Sequence, residues 1–369
     1  MFKALEPANL GHLELRNRFI RSATWDVMAD EEGAVTDRSV KLYEDLAKGG
    51  VGLIVTGYAF VSKQGQAAHG QYGIHSDEMI PGLKRLVDVA HRHGAKIAAQ
   101  IVHAGIASGY HARRGQLALA PSDVEGRQPH RAMIEEEIYG IIEDFAAGAA
   151  RAREAGFDAV ELHGAHGYLM SQFLSPITNH RQDRWGGSPE NRRRFHVATV
   201  RRARAAVGAD FPLMIKFGVM DDNEGGASLD EGIEALKAMV AAGLDALEIS
   251  GGIGTASAGA TRVVNDDVTE VTYYRERAAK AKKAIDIPLA VVGGIRRLET
   301  AEDIIASGDA DFVSISRPLI REPGLIQRWQ RGDHRRATCI SCNKCMAIVG
   351  RGEPLECGEE RRIREEKGA

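Results

Sequence analysis

One phrase recurs along the chain and limits how it can fold: a helical pattern ends at glycine, and a short apolar run follows. The phrase reads AKGGVGLIVTG at 47–57, EAGFDAVELHG at 154–164, AAGLDALEISG at 241–251 and ASGDADFVSIS at 306–316. Glycine readily takes the left-handed conformation after a helix, and an unbroken apolar run is typical of a parallel strand buried on both faces. Because the spacings are uneven, the pattern predicts βα units of one sheet rather than a solenoid.

The complete alternation of strand and helix patterns predicts a closed barrel. Strand patterns lie near 18–22, 51–56, 97–101, 159–162, 212–217, 246–249, 288–292 and 311–315. Helical periodicity lies near 37–48, 76–93, 134–155, 190–207, 228–242, 272–284, 299–307 and 320–330. Eight units predict an α/β fold, a single (β/α)₈ TIM barrel over residues 1–335, with 1–15 as a cap over its bottom and a cysteine-bearing tail at 336–369. A doubly wound sheet is the alternative, but FIRSATWD lacks the glycine fingerprint that normally follows its first strand.

The charge balance of the chain indicates which kinds of molecule it binds. The formal net charge is −3 over 369 residues, and the charged residues are mixed in sign. This predicts a small-molecule substrate rather than nucleic acid or a membrane surface. MFKALEPANL shows no charged-then-apolar leader, and no apolar run approaches the roughly 18 residues that span a bilayer, so a cytoplasmic location is expected. The oligomeric state stays open, with a homo-oligomer as one option.

Two connections are too long to be plain turns, and both leave the carboxyl ends of predicted strands. They are 102–133 and 163–189, and barrel active sites are built at that end. The second connection begins HGAHGY, which crowds His163, His166 and Tyr168 into six residues where an apolar strand stops. We expect these polar groups to face a bound molecule.

Four segments resemble the old yellow enzyme family. They are AQIVHAG at 99–105, HGAHGYLMSQFLSP at 163–176, NHRQDRWGGSPENRRRF at 179–195 and SRPLIREP at 316–323, and the third is the most specific. The resemblance runs in order from about residue 2 to about residue 330. It implies an FMN-containing barrel that uses NADH or NADPH to reduce activated double bonds, which makes the chain an oxidoreductase of the ene-reductase type.

An FMN phosphate would find backbone N–H donors after the last predicted strands, the usual location of a phosphate site in such barrels. The candidate residues there are Gly293, Gly294, Ser316 and Arg317, and a nearby strand end adds Ser250, Gly251 and Gly252. For any single pair, the alternative is that the glycines only form tight turns. Three glycine- or serine-bearing strand ends together favour the phosphate site.

Two polar residues interrupt predicted strands near the flavin ring. The resemblance implies that the carboxamide of Gln100 pairs with the pyrimidine edge, although a core glutamine bonded to a neighbouring loop is the alternative. Lys216 stands where the family usually has arginine, close to flavin N1 and O2. Either cation stabilises negative charge on a reduced flavin, but lysine lacks the planar fork.

The end of the first strand departs from the family pattern of proline followed by threonine or cysteine. The segment SATWD places Ala23 and Thr24 beside the flavin, and Trp25 falls near the position that tunes the flavin potential. Gly57, which ends the second strand, is expected to leave room for the ring.

The histidine pair explains how a substrate could be activated. His163 and His166 can direct two N–H donors at one carbonyl oxygen and stabilise the enolate that forms on hydride transfer. Tyr168 then supplies a proton, since a phenol with a pKa of about 10 stays protonated at neutral pH. The resemblance assigns the same roles. Zinc binding by the pair and a purely structural Tyr168 are the alternatives.

The nicotinamide is expected to share the flavin face with the substrate. No G-x-G-x-x-G fingerprint follows any predicted strand, so a separate nicotinamide domain is not predicted. Ping-pong kinetics should result.

All four cysteines lie in the tail, so disulfides are not expected in the barrel. Their spacing, C-x₂-C-x₂-C-x₁₁-C, resembles the iron–sulfur segment of 2,4-dienoyl-CoA reductase and trimethylamine dehydrogenase, whose middle spacing is usually one residue longer. A 4Fe-4S cluster, a zinc ion and reduced thiols all remain open for these residues, Cys339, Cys342, Cys345 and Cys357.

Three other functions stay open at this point. A dienoyl-CoA-reductase-like or amine-dehydrogenase-like flavoprotein that works with a partner is the nearest alternative. A non-flavin barrel lyase would use the phosphate site for its substrate. An electron carrier would act through the cysteines.

Overall fold

Eight parallel strands close into a barrel in the computed structural model, which describes residues 2–125, 128–253, 262–263 and 272–367. The strands are β1 Ala8–Leu10, β2 Leu13–Leu15, β3 Phe19–Arg21, β4 Leu53–Val55, β5 Ala59–Phe60, β6 Lys96–Val102, β7 Ala118–Ala120, β8 His130–Ala132, β9 Ala159–Gly164, β10 Leu213–Gly218, β11 Ala246–Ser250, β12 Leu289–Val292 and β13 Phe312–Ile315. The barrel runs β3, β4, β6, β9, β10, β11, β12, β13 and back to β3. The predicted fold class is therefore confirmed, and each barrel strand overlaps its predicted position.

Helices surround the barrel. They are α1 Asp37–Lys48, α2 Ile80–Arg92, α3 Gly109–Ala112, α4 Glu135–Glu154, α5 Leu169–Leu174, α6 Pro189–Val207, α7 Leu229–Ala241, α8 Arg275–Lys282, α9 Leu298–Ala306, α10 Arg317–Arg321, α11 Leu325–Gln330, α12 Lys344–Gly350 and α13 Gly358–Glu366. Side-chain caps explain several starts: Ser228 accepts from the Glu231 N–H at α7, and Ser188 caps α6 just before a proline. The helix predicted over 320–330 is two helices, because Pro323 cannot continue the first one. Within the described ranges, no helix combines the length and apolarity needed to cross a membrane.

The N-terminal hairpin closes the bottom of the barrel, as predicted. β1 and β2 pair antiparallel and place Leu10, Leu13 and Leu15 against the inward-facing side chains at the amino ends of the barrel strands. Those side chains are apolar, from Ile20 on β3 to Phe312 on β13. The bottom of the barrel is therefore a packed core.

Polar residues replace the apolar ones one step higher in the barrel. Side chains two residues apart on a strand share a face, so the next inward positions stack directly on the apolar layer. We call this set the polar layer, and it consists of Ser22, Gln100, Glu161, Lys216, Glu248 and Ser314, all buried. The polar layer therefore lies directly beneath any molecule that binds at the carboxyl end of the barrel.

The cysteine-bearing tail packs on the barrel mouth beside the end of β3. Val27 from the barrel lies in one apolar cluster with Cys345, Val349 and Leu355 from the tail. The backbone N–H of Leu355 donates to the carbonyl of Asp26 at 2.8 Å. The tail thus borders the active-site end, while the boundary between domains at residue 335 stays a prediction.

Candidate active site

A cavity of about 380 Å³ opens at the carboxyl end of the barrel. Small-molecule sites commonly have about 300–1,000 Å³, so its size suits a cofactor or a substrate. Nine residues predicted for the site line it: Ala23, Thr24, Gln100, His163, His166, Tyr168, Lys216, Ser250 and Ser316. Side chains from most of the barrel strands, scattered over nearly 300 positions of sequence, therefore meet at one place.

A smaller cavity of about 50 Å³ adjoins it at the ends of β12 and β13 and shares Val292 and Ser316 with it. Gly293, Gly294 and Arg317 line this cavity, and their role in binding a phosphate stays a prediction. Gly293 has φ +116°, and a Cβ on it would lie 2.6 Å from the Tyr273 ring. A side chain at this position would therefore meet the Tyr273 ring, and the positive φ would strain any residue other than glycine.

The Arg317 side chain joins the tail to the barrel. Its guanidinium donates to Asn343 Oδ1 at 2.6 Å, to the Ser341 carbonyl at 3.2 Å and to the Tyr273 hydroxyl at 2.7 Å. Arg317 therefore holds the tail beside the small cavity, and the phosphate contact expected of its backbone N–H stays a prediction.

Three predicted residues lie outside both cavity linings. Gly57 donates its N–H to the Tyr43 hydroxyl at 2.8 Å, and a Cβ on it would approach the Thr24 carbonyl to 3.0 Å. Gly252 donates to the Met220 carbonyl, and Gly251 accepts from the His166 N–H, each at 3.0 Å. These glycines support the loops around the site, and direct FMN contacts by them stay a prediction.

The histidine pair is held in a defined geometry. The rings of His163 and His166 are 5.1 Å apart and nearly perpendicular. His166 has φ +61°, and its Nε2 lies 2.7 Å from Ser250 Oγ. His163 Nδ1 accepts from the Ala165 N–H at 3.4 Å, which leaves the proton of a neutral ring on Nε2.

Both imidazoles are neutral at physiological pH. Burial lowers the pKa of His163 well below its usual value, and the neighbouring His166 and Lys216 lower it further. Burial and Lys216 lower the pKa of His166 to about 3. Among the described residues no three His, Cys, Asp or Glu side chains come together around one ion position, so the zinc alternative finds no third ligand there.

Tyr168 is paired with a second phenol that the sequence analysis missed. The Tyr168 hydroxyl donates to the Tyr58 hydroxyl at 3.3 Å, and Tyr58 packs its ring against Tyr168 and His163. Burial raises the pKa of Tyr168, opposed by the bond to Tyr58, and raises that of Tyr58 well above 10. Both phenols stay protonated at neutral pH. The signal was available, because Tyr58 follows the second predicted strand directly.

The polar layer holds Gln100 and Lys216 from below. Gln100 Nε2 donates to Glu161 Oε2 at 2.7 Å, so its partner is a carboxylate on the next strand rather than the loop considered as the alternative. Lys216 Nζ donates to Glu248 Oε1 at 2.6 Å and to Ser22 Oγ at 2.8 Å. The sequence analysis missed both glutamates, although a charge inside an apolar strand is costly and was a visible signal.

The segment that follows β3 and the tail together form an apolar wall of the large cavity. Trp25 and Met346 of the tail pack against the same apolar cluster, and Trp25 Nε1 donates to the His69 carbonyl at 3.2 Å. Trp25, Met346 and Val349 line the cavity. Thr24 Oγ1 lies 2.8 Å from Ser316 Oγ, which links the strand ends across the barrel closure. The tail contribution was not predicted.

All four cysteines line one pocket of the tail. Cys339 and Cys345 are buried, and burial raises the pKa of both thiols, that of Cys345 to about 11. Ser341 and Asn343 have positive φ values of +56° and +58°, so the loop turns sharply between the cysteines. The Ser341 N–H points at Cys339 Sγ at 3.5 Å. All four cysteines are free of disulfides.

Fold and cavity together define a (β/α)₈-barrel protein with a small-molecule site at the carboxyl end of its strands. The chain belongs to the NADH:flavin oxidoreductase / NADH oxidase family, whose model matches residues 3–335. This confirms the resemblance to old yellow enzymes drawn from the sequence motifs.

Similar proteins extend the match into the tail. The chain is 38% identical to the NADH oxidase of Thermoanaerobacter brockii over 340 residues, which covers 90% of this chain but 52% of the relative. It is 31% identical to the 4,4'-dithiodibutanoate disulfide reductase of Rhodococcus erythropolis, covering 94% of this chain and 93% of the relative. The solved structure of a 2-naphthoyl-CoA reductase complex superposes with a TM-score of 0.88 at 30% identity, over 96% of this chain and 56% of that one. The chain thus spans about half the length of two of these three.

Proposed function

We propose that the protein is an FMN-dependent oxidoreductase that takes hydride from NADH or NADPH and reduces the double bond of α,β-unsaturated carbonyl compounds. The observation that supports this most is the constellation of His163, His166 and Tyr168 in the cavity wall, with neutral imidazoles and a protonated phenol. Two imidazole N–H donors beside a phenol suit an oxygen that gains negative charge and a carbon that gains a proton.

The described residues fit FMN. The large cavity has a polar edge at Gln100 and Lys216, and the small cavity beside it is bounded by Gly294 and by Gly293, where a Cβ would meet the Tyr273 ring. Gln100 gives one amide hydrogen to Glu161, which leaves its oxygen for a ring N–H donor. Lys216 would face the pyrimidine edge, and backbone groups at the ends of β12 and β13 would hold the phosphate.

FMN, when bound, supplies hydride transfer between the nicotinamide and the substrate. The imidazoles of His163 and His166 bind and polarise the substrate oxygen, which draws electron density from the conjugated double bond. Tyr168 gives its phenol proton to the carbon that does not receive hydride. Tyr58, which accepts the bond from Tyr168, holds the phenol in place and can relay a proton to it.

The nicotinamide and the substrate would use the cavity in turn. Both molecules would need the open face of the flavin ring in the same cavity of about 380 Å³, so ping-pong kinetics are expected.

The test is anaerobic stopped-flow of the FMN-loaded protein. We expect bleaching of the flavin by NADH or NADPH, followed by reoxidation by 2-cyclohexenone with formation of cyclohexanone. A colourless preparation that cannot be loaded with FMN contradicts the proposal. Fast reoxidation by a disulfide such as 4,4'-dithiodibutanoate, with none by the enone, would instead favour the activity named for the Rhodococcus relative.

A second proposal concerns the cofactor of the tail: the four cysteines hold a 4Fe-4S cluster rather than a zinc ion. The support is that all four line one pocket and that their spacing resembles the iron–sulfur segment of 2,4-dienoyl-CoA reductase. The amide N–H that points at Cys339 Sγ suits a thiolate ligand. A cluster in the tail would support the alternative function, that of a dienoyl-CoA-reductase-like flavoprotein that receives electrons from a partner.

The proposed cluster is tested by measuring iron, acid-labile sulfide and zinc in anaerobically purified protein. Near four iron and four sulfide per chain is the expected result for a full cluster. Stoichiometric zinc, or no metal in any anaerobic preparation, contradicts it.

A further inference from the structure

Two glutamates lie side by side beneath the cavity and have no direct role in the proposed chemistry. Glu161 on β9 and Glu248 on β11 are both fully buried, and Lys216 on β10 lies between their strands. One oxygen of each is occupied: Glu161 Oε2 accepts from Gln100, and Glu248 Oε1 accepts from Lys216 and from Ser22. The other two, Glu161 Oε1 and Glu248 Oε2, have no hydrogen-bond partner among the described residues.

The two carboxyl groups belong to the same buried polar layer, on the strands either side of β10, and each keeps one oxygen without a partner. Two ionised carboxylates there would repel each other in a site of low dielectric constant and would leave both of these oxygens unpartnered, because both are acceptors. A single proton shared between the two carboxyl groups removes the repulsion and gives both oxygens a partner. Burial first, and the Glu248 charge second, raise the pKa of Glu161 to about 8, against the opposing effects of Lys216 and Gln100.

The surroundings leave few other groups to share the proton. From the other strands, the polar layer presents Ser22, Gln100 and Ser314, which are uncharged. His163, two residues above Glu161 on the same face, is neutral because burial holds its pKa well below its usual value. Lys216 forms an ion pair with Glu248. With one proton, the two glutamates and Lys216 have no net charge, and without it their net charge is −1.

We propose that Glu161 and Glu248 form a proton-sharing pair that positions Gln100 and Lys216 and couples the reduction of FMN to uptake of one proton. This rests on the FMN binding proposed above, but not on ene reduction. Both groups that would meet the pyrimidine edge of FMN are bonded to the pair from below. The charge of the pair therefore sets how strongly that edge favours a negative flavin.

Electrons and protons balance in the proposed step. Hydride from NADH or NADPH brings two electrons and one proton to FMN and leaves one negative charge on it. When the pair has lost its proton, it takes one from solvent and forms an O–H bond on a glutamate oxygen. Reoxidation of FMN returns that proton to solvent, so the pair is unchanged over a cycle.

The decisive measurement is the midpoint potential of FMN in the holoenzyme against pH. Each proton taken up with two electrons contributes about 29.6 mV per pH unit, the value of a tenfold change in a two-electron equilibrium. We expect the slope to increase by that amount above a pH of about 8, where the oxidised protein has released the shared proton. Glu161→Gln, which keeps the side-chain shape, should abolish this increase, and so should Glu248→Gln.

Asp144→Asn is the matched control, because burial also raises the pKa of this carboxyl, to about 6, but it lies on α4 outside the barrel. Its potential–pH curve should follow that of the wild type. A wild-type curve with one slope across about two pH units on either side of 8 overturns the proposal. So does a Glu161→Gln protein that keeps the steeper limb.

Infrared difference spectroscopy of the purified wild-type protein gives a separate readout. A carboxylic-acid carbonyl band should be present at neutral pH, vanish as the pH rises through about 8, and be absent from Glu161→Gln. Its absence from the wild type also overturns the proposal. Because this band does not need bound flavin, a protein that shows it but takes up no FMN would refute the proposed function and leave the shared proton established.

Discussion

Replacing Tyr168 by phenylalanine separates proton donation from every other step. The variant loses one hydroxyl, whereas the ring keeps its contacts with His163 and Tyr58 at centroid distances of 5.0 and 5.5 Å. The lost bond, from Tyr168 to the Tyr58 hydroxyl, is long at 3.3 Å. We therefore expect a loss of only about 0.5–1.5 kcal/mol in the free energy of unfolding, the usual net worth of one hydrogen bond.

The kinetic effect should fall on one half-reaction alone. Reduction of FMN by NADH or NADPH needs no phenol proton and should be unchanged. Reoxidation by an enone should slow by about 10²–10⁴-fold, the usual contribution of a positioned general acid. In the wild type, burial raises the pKa of Tyr168, so the acid form persists through neutral and mildly alkaline pH, and the rate should not decline there.

Anaerobic stopped-flow with separate mixing steps measures both half-reactions. Tyr139→Phe is a suitable control, because that phenol is 45% exposed on the outer surface of the barrel and should leave both rates unaltered. Tyr58→Phe should have a smaller effect than Tyr168→Phe if Tyr58 only orients the donor. An unimpaired reoxidation in Tyr168→Phe would refute the assignment and point to Tyr58 or water as the acid.

Three further changes test other parts of the site. Replacing His163 and His166 by alanine should abolish the long-wavelength absorption band of bound phenols while FMN content stays nearly unchanged; a band of normal intensity would mean that the pair serves the loop. Gly293→Ala should weaken FMN binding by about 1–3 kcal/mol through backbone strain and displacement of Tyr273, measured by flavin fluorescence; unchanged affinity would place the phosphate elsewhere. Cys339→Ser should make the tail more sensitive to proteolysis. Because Met346 and Val349 of the tail line the cavity, the same change should raise the enone KM more than it lowers kcat. Unchanged protease resistance together with an unchanged KM would show that the tail stays packed on the barrel without Cys339 as a ligand.

Much of the site was predictable because its signals are local. A strand end is recognisable from a few residues, and the carboxyl ends of parallel strands in a barrel must meet. This is why His163, Gln100, Lys216 and Ser316 could be assigned to one site before any contact was known. The eight barrel strands followed for the same reason, since their short apolar runs are visible locally and four of them follow a helical pattern that ends at glycine.

Other features required the closed barrel. Glu161 and Glu248 belong to different strands, and only the assembled sheet places them on either side of the strand that carries Lys216. Tyr58 lies 110 residues from Tyr168 along the chain. The guanidinium of Arg317 bonds Asn343 of the tail, a contact that no strand pattern predicts.

The sequence by itself determined the architecture, the family and the three residues proposed for catalysis, because strand periodicity, glycine turns and contiguous motifs are encoded within short windows. The tertiary structure alone decided which oxygen each donor meets, which wall the tail supplies, and which layer holds the two buried carboxyl groups. Those outcomes depend on the register between strands and on the orientation of side chains in a packed interior. Such choices arise from the simultaneous closure of all eight strands, which no single stretch of sequence contains.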